Sequence, residues 1–221
     1  MKYKEIRANG KGSFTDFKLA IKSRNISLPE KKKIKNSVPF QNGTYDFSDM
    51  NGEIYWEERI LEYVFDIAEF STEEMEQIKD KVVDWLLNIH DTDIEDDYTA
   101  DYYYHGSYDT NSWNEDFGQG ELTVRFSVYP YKYAKERTII TQEISETETA
   151  IIINNESSHR IMPIVTINGD VSITIGKNTY ALTSGTYTDS NLILEKGENT
   201  WNVIATSETA NLDISYRKEV F

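Results

Sequence analysis

The 221-residue sequence contains no cysteine, only three histidines and four prolines, and no long apolar run. Without cysteine, disulfide bonds and thiolate chemistry are both excluded, so an ordinary hydrophobic core has to stabilise the fold. No apolar stretch approaches the roughly 18–20 residues that span a bilayer, and the first residues lack the pattern of a signal peptide. We therefore expect no membrane insertion.

The sequence also lacks the short motifs of common catalytic and cofactor sites: HExxH, CxxC, GxSxG, GxGxxG and the Walker loop. The acidic run that begins at Asp91 does not have the spacing of a calcium loop. Asp96 would replace the glycine of that loop, and Tyr102 would replace its bidentate glutamate. We predict that the protein is not an enzyme and has no cofactor and no metal site. The histidines lie at a helix end or in turn-like sequence: His90, His105 and His159.

Basic residues are few and unevenly distributed. The formal net charge is −15, which argues against nucleic-acid binding, because such binding depends on a basic surface. Residues 1–35 have a net charge of +8, residues 36–134 of −18 and residues 135–221 of −5. Pro29 disfavours helix before the run Lys31, Lys32 and Lys33. This run is therefore either a solvated loop or a contact for an acidic neighbour.

Apolar and polar residues alternate in Gly120–Ala134, which predicts a strand with one buried face. Pro130 has no N–H to donate, so we predict that it ends the ladder and that the first domain ends here. The apolar residues of the buried face are Leu122, Val124, Phe126 and Val128.

One clear α-helix is predicted over Thr72–Ile89, with Ser71 as its cap. Its apolar residues recur at helical spacing, so we expect this stripe to pack within its own domain. Upstream, Asn42-Gly43 and Asn51-Gly52 are turn signals. They predict a hairpin or projecting arm around Val38–Phe47, followed by a long strand over Ile54–Ile67.

After the first domain, a Thr- and Glu-rich connector, Lys135–Thr149, leads into about seven short strands separated by turns. Such spacing, with no helical pattern, predicts a β-sandwich or jelly roll. Trp201 lies in the predicted strand Asn199–Ala205. It is either a platform on which a sugar could stack or a core residue, because it shares a face with two other apolar residues.

Four stretches carry a family resemblance: ISLPEKKKIKNSVPFQNGTYDFSDMNGEIYWEERILEYVFDI, the helix that follows it, WNEDFGQGELTVRFSVYPYKYA and, near the end, GENTWNVIATSETANLDISYR. In this order they resemble the distal tail proteins of siphophages, bacteriophages with long flexible tails. The resemblance implies a mainly β chain with one α-helix. Residues 1–134 would be a β-sandwich-like ring domain with the helix and an extended hairpin arm. Residues 135–221 would be a galectin-like or jelly-roll β-sandwich, with 135–149 as connector.

The resemblance also implies a structural role in the virion, at the tip of a long non-contractile tail. The chain would form a homohexameric ring, alone or as two rings back to back. Its partners would be the major tail or tube protein, the tail-tip (tail-associated) protein, and a receptor-binding protein or baseplate components. Lys31, Lys32 and Lys33 are then candidate ring-interface residues, and Trp201 is a candidate carbohydrate-binding residue. The alternative is a carbohydrate-binding module of a bacterial surface or phage adsorption protein, which we expect to be monomeric.

Overall fold

The computed structural model describes residues 3–40, 42–48, 54–68, 72–116, 119–206 and 208–221. The fold is mainly β, with 59% strand and 11% helix, so the predicted fold class is confirmed. The chain divides into unit 1, Met1–Lys132 with Phe221, and unit 2, Tyr133–Val220. Each unit contains a hydrophobic core of its own. Ser71 and the turn predicted at Asn51-Gly52 lie outside the described residues.

In chain order the elements of unit 1 are β1 (Ile6–Ala8), β2 (Lys11–Gly12), α1 (Ser13–Phe17), β3 (Ala20–Ile26), β4 (Lys35–Asn36), β5 (Tyr45–Asp46), β6 (Arg59–Ala68), α2 (Thr72–Leu87), β7 (Thr92–Asp96), a 3-10 turn (Asp97–Thr99), β8 (Tyr102–Asp116) and the first part of β9 (Gln119–Ser145). The predicted helix is α2, and the short helix α1 was not predicted. Hydrogen bonds join the strands in the order β3–β6–β9–β8–β7–β1–β2, and β4 and β5 form a separate pair.

The core of unit 1 forms around the pairing of β6 with β9. Leu61 lies opposite Phe126 in this antiparallel register, and both side chains are fully buried. The apolar stripe of α2 packs on the same core, as predicted. Trp85 of this stripe stacks on Phe17 at 4.9 Å and donates from Nε1 to the carbonyl of Ala8 at 3.0 Å. One core therefore holds the sheet and both helices.

Pro130 does not end the last strand of unit 1, and that prediction is wrong. Strand β9 continues through it to Ser145. The ladder with β6 ends at the pair Arg59–Val128. Pro130 follows that pair, so its missing N–H breaks no hydrogen bond to β6.

The segment Lys135–Thr149 is mostly strand and not an irregular connector. It contains the end of β9, whose Ile144 is fully buried in the core of unit 2. The chain then turns, and the next strand begins at Thr149. Most side chains between Lys135 and Ile144 are exposed. The composition of this strand is therefore polar, which conceals it from a prediction based on apolar alternation.

The turn-like sequence predicted at His105 lies inside β8, and Gly106 follows His105 there. A Cβ at this position would collide with the backbone of Ser127 and of Val128. The glycine therefore allows β8 and β9 to approach closely. A further difference is that the strand predicted from Ile54 begins at Arg59.

Unit 2 contains the end of β9 and the strands β10 (Thr149–Asn155), β11 (Ile164–Asn168), β12 (Val171–Ile175), β13 (Asn178–Leu182), β14 (Gly185–Tyr187), β15 (Gly197–Ala205) and β16 (Thr209–Val220). These strands form a β-sandwich of two sheets, in the orders β9–β16–β11–β14 and β10–β15–β12–β13. Buried residues alternate with more exposed ones along the strands, as expected when one face of each sheet is covered.

Within the described residues, no helix is long and apolar enough to cross a bilayer.

Candidate functional site

The two histidines of unit 1 have different partners: one imidazole contacts carboxylates, and the other contacts a hydroxyl. His105 Nδ1 lies 2.7 Å from Asp93 Oδ1, and its Nε2 lies 3.1 Å from Asp91 Oδ1. His90 Nδ1 instead contacts Ser107 Oγ at 3.3 Å. A Ser–His–Asp triad needs one imidazole to bind both groups, and these two rings divide them. In the described part of the chain, no group of three or more His, Cys, Asp or Glu could hold a metal ion.

Between β3 and β6, the described residues 28–40, 42–48 and 54–57 form a segment outside the main sheet, which is called the arm. Ser27 fixes its base, because its Oγ accepts from the N–H of Ile60 at 2.8 Å and donates to the carbonyl of Ile60 at 3.1 Å. Further out, the N–H of Lys32 donates to the carbonyl of Tyr55 at 2.8 Å. The pair β4–β5 then closes a hairpin. The predicted hairpin is therefore present, at the end of a longer two-stranded arm.

The arm exposes an unusual amount of apolar side-chain surface. Eight of the fifteen large hydrophobic side chains that are exposed among the described residues belong to it. Phe40, at the tip, is as exposed as in an extended peptide, and Leu28 is 78% exposed. The eight are Leu28, Ile34, Val38, Phe40, Tyr45, Phe47, Ile54 and Tyr55.

Backbone hydrogen bonds hold the arm, and a hydrophobic core does not. Its one buried residue among those described is Ser48, whose Oγ accepts from the N–H of Ile34 at 2.9 Å. An isolated two-stranded hairpin is at best marginally stable in water. Contiguous exposed apolar surface of this kind marks an interaction site. The arm is therefore a candidate assembly surface.

The three predicted interface lysines lie at the base of this arm. Lys31 forms an isolated antiparallel bridge with Trp56 and is half-buried, whereas Lys32 and Lys33 are exposed. The run is therefore part of a two-stranded ladder and not a free loop. Lys35 follows it and pairs with Asp46 across the hairpin at 3.6 Å.

A buried polar centre lies in unit 1, around Asp96. The hydroxyl of Tyr63 donates to Asp96 Oδ2 at 2.8 Å, and the N–H of Tyr98 donates to Oδ1 at 2.8 Å. Arg24 Nε lies 3.5 Å from Oδ2. Burial, and next the charge of Asp96, raises the pKa of Tyr63 well above its ordinary value. Asp96 thus joins strands β3, β6 and β7 through side chains.

Arg59 lies near this centre, is 3% exposed and was not predicted as a site residue. Its guanidinium lies over the ring of Tyr104, 5.0 Å from the ring centre. Burial lowers the pKa of Arg59. A signal was present in the sequence, since the alternation that buries Leu61 and Tyr63 in β6 also buries position 59.

Trp201, the candidate carbohydrate-binding residue, lies in the core of unit 2 with no exposed surface. It is paired across the strands with Ile151 and Ile175. A sugar platform needs an exposed ring face, so Trp201 does not provide one here. It is a core residue, the other role that its strand pattern allowed.

These units define a class of fold: a helix-bearing β unit with a projecting arm, followed by a β-sandwich. Among solved structures, the SPP1 Dit (gp 19.1) protein has this fold and is described as a paradigm of the hub adsorption apparatus in phages that infect Gram-positive bacteria. The match covers 100% of both chains with a TM-score of 0.69 and 13% sequence identity. The chain therefore has a Dit-like fold. No family model and no curated protein sequence matches it.

Proposed function

We propose that this protein is a structural component of a phage tail, the distal hub at the tip of a long non-contractile tail. The Dit-like fold over the whole length of both chains supports this role. The hub would be a homohexameric ring, alone or as two rings back to back. It would contact the major tail or tube protein, the tail-tip protein, and a receptor-binding protein or baseplate components. Its role would be assembly in the virion, without catalytic turnover.

The exposed apolar arm is the observation that carries the proposal. An arm without a core gains stability when another surface covers it. The surface proposed to cover the arm belongs to a second copy of this chain, because every copy then supplies one arm and one receiving surface. Contacts between two different surfaces of identical subunits are heterologous, and they close into a ring when the rotation permits. Six such contacts would complete the proposed hexamer.

Charge supports the same assignment of the partner. Lys31, Lys32 and Lys33 stand at the base of the arm, whereas residues 36–134 carry a net charge of −18. A basic arm base that meets an acidic neighbouring body is electrostatically complementary, which favours association and fixes register.

The proposal is tested by native mass spectrometry and negative-stain electron microscopy of the full chain. We expect the wild-type protein to give rings with the mass of six or twelve chains. The variant Val38→Ser/Phe40→Ser/Phe47→Ser should give single chains, because it removes apolar surface that only a partner covers. Its unfolding free energy should change by less than about 0.5 kcal/mol for each substitution, since all three side chains are exposed in one chain.

The matched control is Ile139→Ser/Ile152→Ser/Met162→Ser, which removes three exposed apolar side chains from unit 2. This control should assemble as the wild type does. A wild-type protein that stays monomeric at high concentration and moderate salt, or an arm variant that assembles normally, would contradict the proposed ring.

A further inference from the structure

Three cations of unit 1 lie close together near the buried polar centre: Arg24 on β3, Arg59 on β6 and Lys132 on β9. Each lies over a tyrosine ring: Arg24 over Tyr98 at 4.9 Å, Arg59 over Tyr104 at 5.0 Å and Lys132 over Tyr102 at 5.5 Å from the ring centres. Burial, and then the charges of Arg59 and Arg24, lower the pKa of Lys132. The three cations are therefore close enough to repel one another. These three side chains are called the cationic cluster.

The cluster has more positive than negative charge. Among the described residues, Asp96 is the carboxylate that contacts it, and this carboxylate is already bound by Tyr63, by the N–H of Tyr98 and by Arg24. The titratable groups that act on Arg59 are instead the phenols of Tyr104 and Tyr63, which are neutral at physiological pH. Neither ring neutralises the guanidinium charge.

Arg59 has donors that find no acceptor within the described chain. Its Nε and Nη2 are both buried and make no hydrogen bond there. An arginine cannot lose its proton to relieve such burial. The contact with the ring of Tyr104 supplies no acceptor for these N–H groups in their own plane. A buried cation of this kind is strongly destabilising unless an anion pairs with it.

We propose that the cationic cluster is a binding site for a carboxylate. The planar fork of Arg59 matches the two oxygens of a carboxylate, and Arg24 and Lys132, both only half-buried, add positive charge close to it. The carboxylate is either that of a small acid in solution or that of an Asp or Glu side chain of a second copy. The second source rests on the proposed ring, whereas the first does not.

Thermal unfolding in sodium acetate and in sodium chloride, at matched ionic strength, tests the site on the full chain. If a small acid is the ligand, acetate should raise the melting temperature of the wild type by about 2–5 °C relative to chloride once it exceeds its dissociation constant about tenfold. Arg59→Met should lose this difference, and Lys132→Met should reduce it. The matched control is Arg125→Met, because Arg125 is exposed and paired with Glu62 at 2.6 Å. It should keep the full difference.

The Nε–H resonance of Arg59 distinguishes the two sources of the carboxylate. In the arm variant Val38→Ser/Phe40→Ser/Phe47→Ser, added acetate should move this resonance downfield if a small acid is the ligand. If the ligand is a neighbour's side chain, the resonance should already be shifted in the assembled wild type without acetate, and not in the arm variant.

The proposal is overturned if acetate gives no stabilisation beyond chloride, the resonance does not move in either protein, and Arg59→Met is as stable as the wild type or more so. That result would make Arg59 a buried cation without a ligand. If Arg59→Met fails to fold, the acetate response and the Arg59 resonance of the wild type and the arm variant still decide, because neither measurement needs a substitution at Arg59. A monomeric wild type that responds to acetate would refute the ring and leave the carboxylate site standing.

Discussion

Unit 1 and unit 2 differ in the polar side chains that they bury and in the apolar side chains that they expose. Unit 2 is a sandwich whose strands alternate buried and more exposed residues, and its buried polar side chains among the described residues, Asn155 and Ser157, are uncharged. Among the described residues, unit 1 buries three side chains that are charged at neutral pH, Glu5, Arg59 and Asp96. It also carries twelve of the fifteen exposed large hydrophobic side chains that the described residues contain.

This difference indicates that more than stability has shaped unit 1. A domain that only has to be stable gains little from buried charges or exposed apolar surface, because both are unfavourable in an isolated chain. Unit 2 has few such features, and unit 1 concentrates them. We therefore expect substitutions in unit 2 to change mainly its own stability, and substitutions in unit 1 to change binding or assembly as well.

The largest effect should come from the core of unit 2. Trp201→Ala removes a fully buried indole and should destabilise unit 2 by about 3–5 kcal/mol through the cavity it leaves. Hydrogen exchange measured by mass spectrometry should show the loss of protection in peptides of unit 2, with unit 1 protected as before. Ile152→Ala, on the exposed face of the neighbouring strand β10, is the control and should change stability by less than about 0.5 kcal/mol. Equal loss in both units would mean that they do not unfold independently.

The next effect should come from the polar centre of unit 1. Asp96→Asn removes the charge that binds Arg24 and leaves buried donors poorly matched, so it should destabilise unit 1 by about 2–4 kcal/mol. The matched substitution in unit 2 is Asp213→Asn. Asp213 accepts from Thr141 Oγ1 at 2.6 Å at an exposed site, so this change should stay below about 1 kcal/mol. Urea unfolding measures both; an equal effect of the two would show that the burial of Asp96 does not matter.

Alkaline pH should separate the units further. The folded-state pKa of Tyr63 is raised well above its usual value, mainly by burial. Its contribution is therefore complete below the unfolded pKa, about 10, and is lost as the pH rises through the folded value. Trp201→Phe leaves tryptophans only in unit 1, so its fluorescence-detected unfolding should report this loss above about pH 10. Adding Tyr63→Phe should flatten the pH dependence; an unchanged slope would assign it to other groups.

The smallest effect on stability should come from the lysine run. Lys31→Glu/Lys32→Glu/Lys33→Glu should change unfolding of either unit little, because exposed ion pairs contribute only about 0–1 kcal/mol each. It should weaken ring assembly most at low salt, since the same contact recurs at each proposed interface. Light scattering at low and high salt measures this. If the reversed protein assembles as well as the wild type under both conditions, the apolar surface of the arm would have to hold the ring without these lysines.

Local patterns in the sequence predicted some of these features and could not predict others. The apolar stripe of α2 and the alternation in β6 could be predicted, because each pattern reflects one buried face. The continuation of β9 beyond Pro130 could not be predicted, because whether a proline breaks a ladder depends on where the partner strand ends. Arg59 was overlooked because its charge suggested a surface position, although its register in β6 placed it inside. For Trp201 the pattern allowed two roles, and only its three-dimensional neighbours decide between them.

The uncovered arm also bears on the life of the protein before it reaches its destination. A newly made chain presents Phe40 and its neighbours to the chaperones and proteases of the cell, on a hairpin that no core protects. We expect such a chain to be cleaved within the arm and a chain docked in the proposed ring to be spared. Surplus copies would then be removed without a dedicated signal, and the supply of the protein would adjust itself to the number of sites that it can fill.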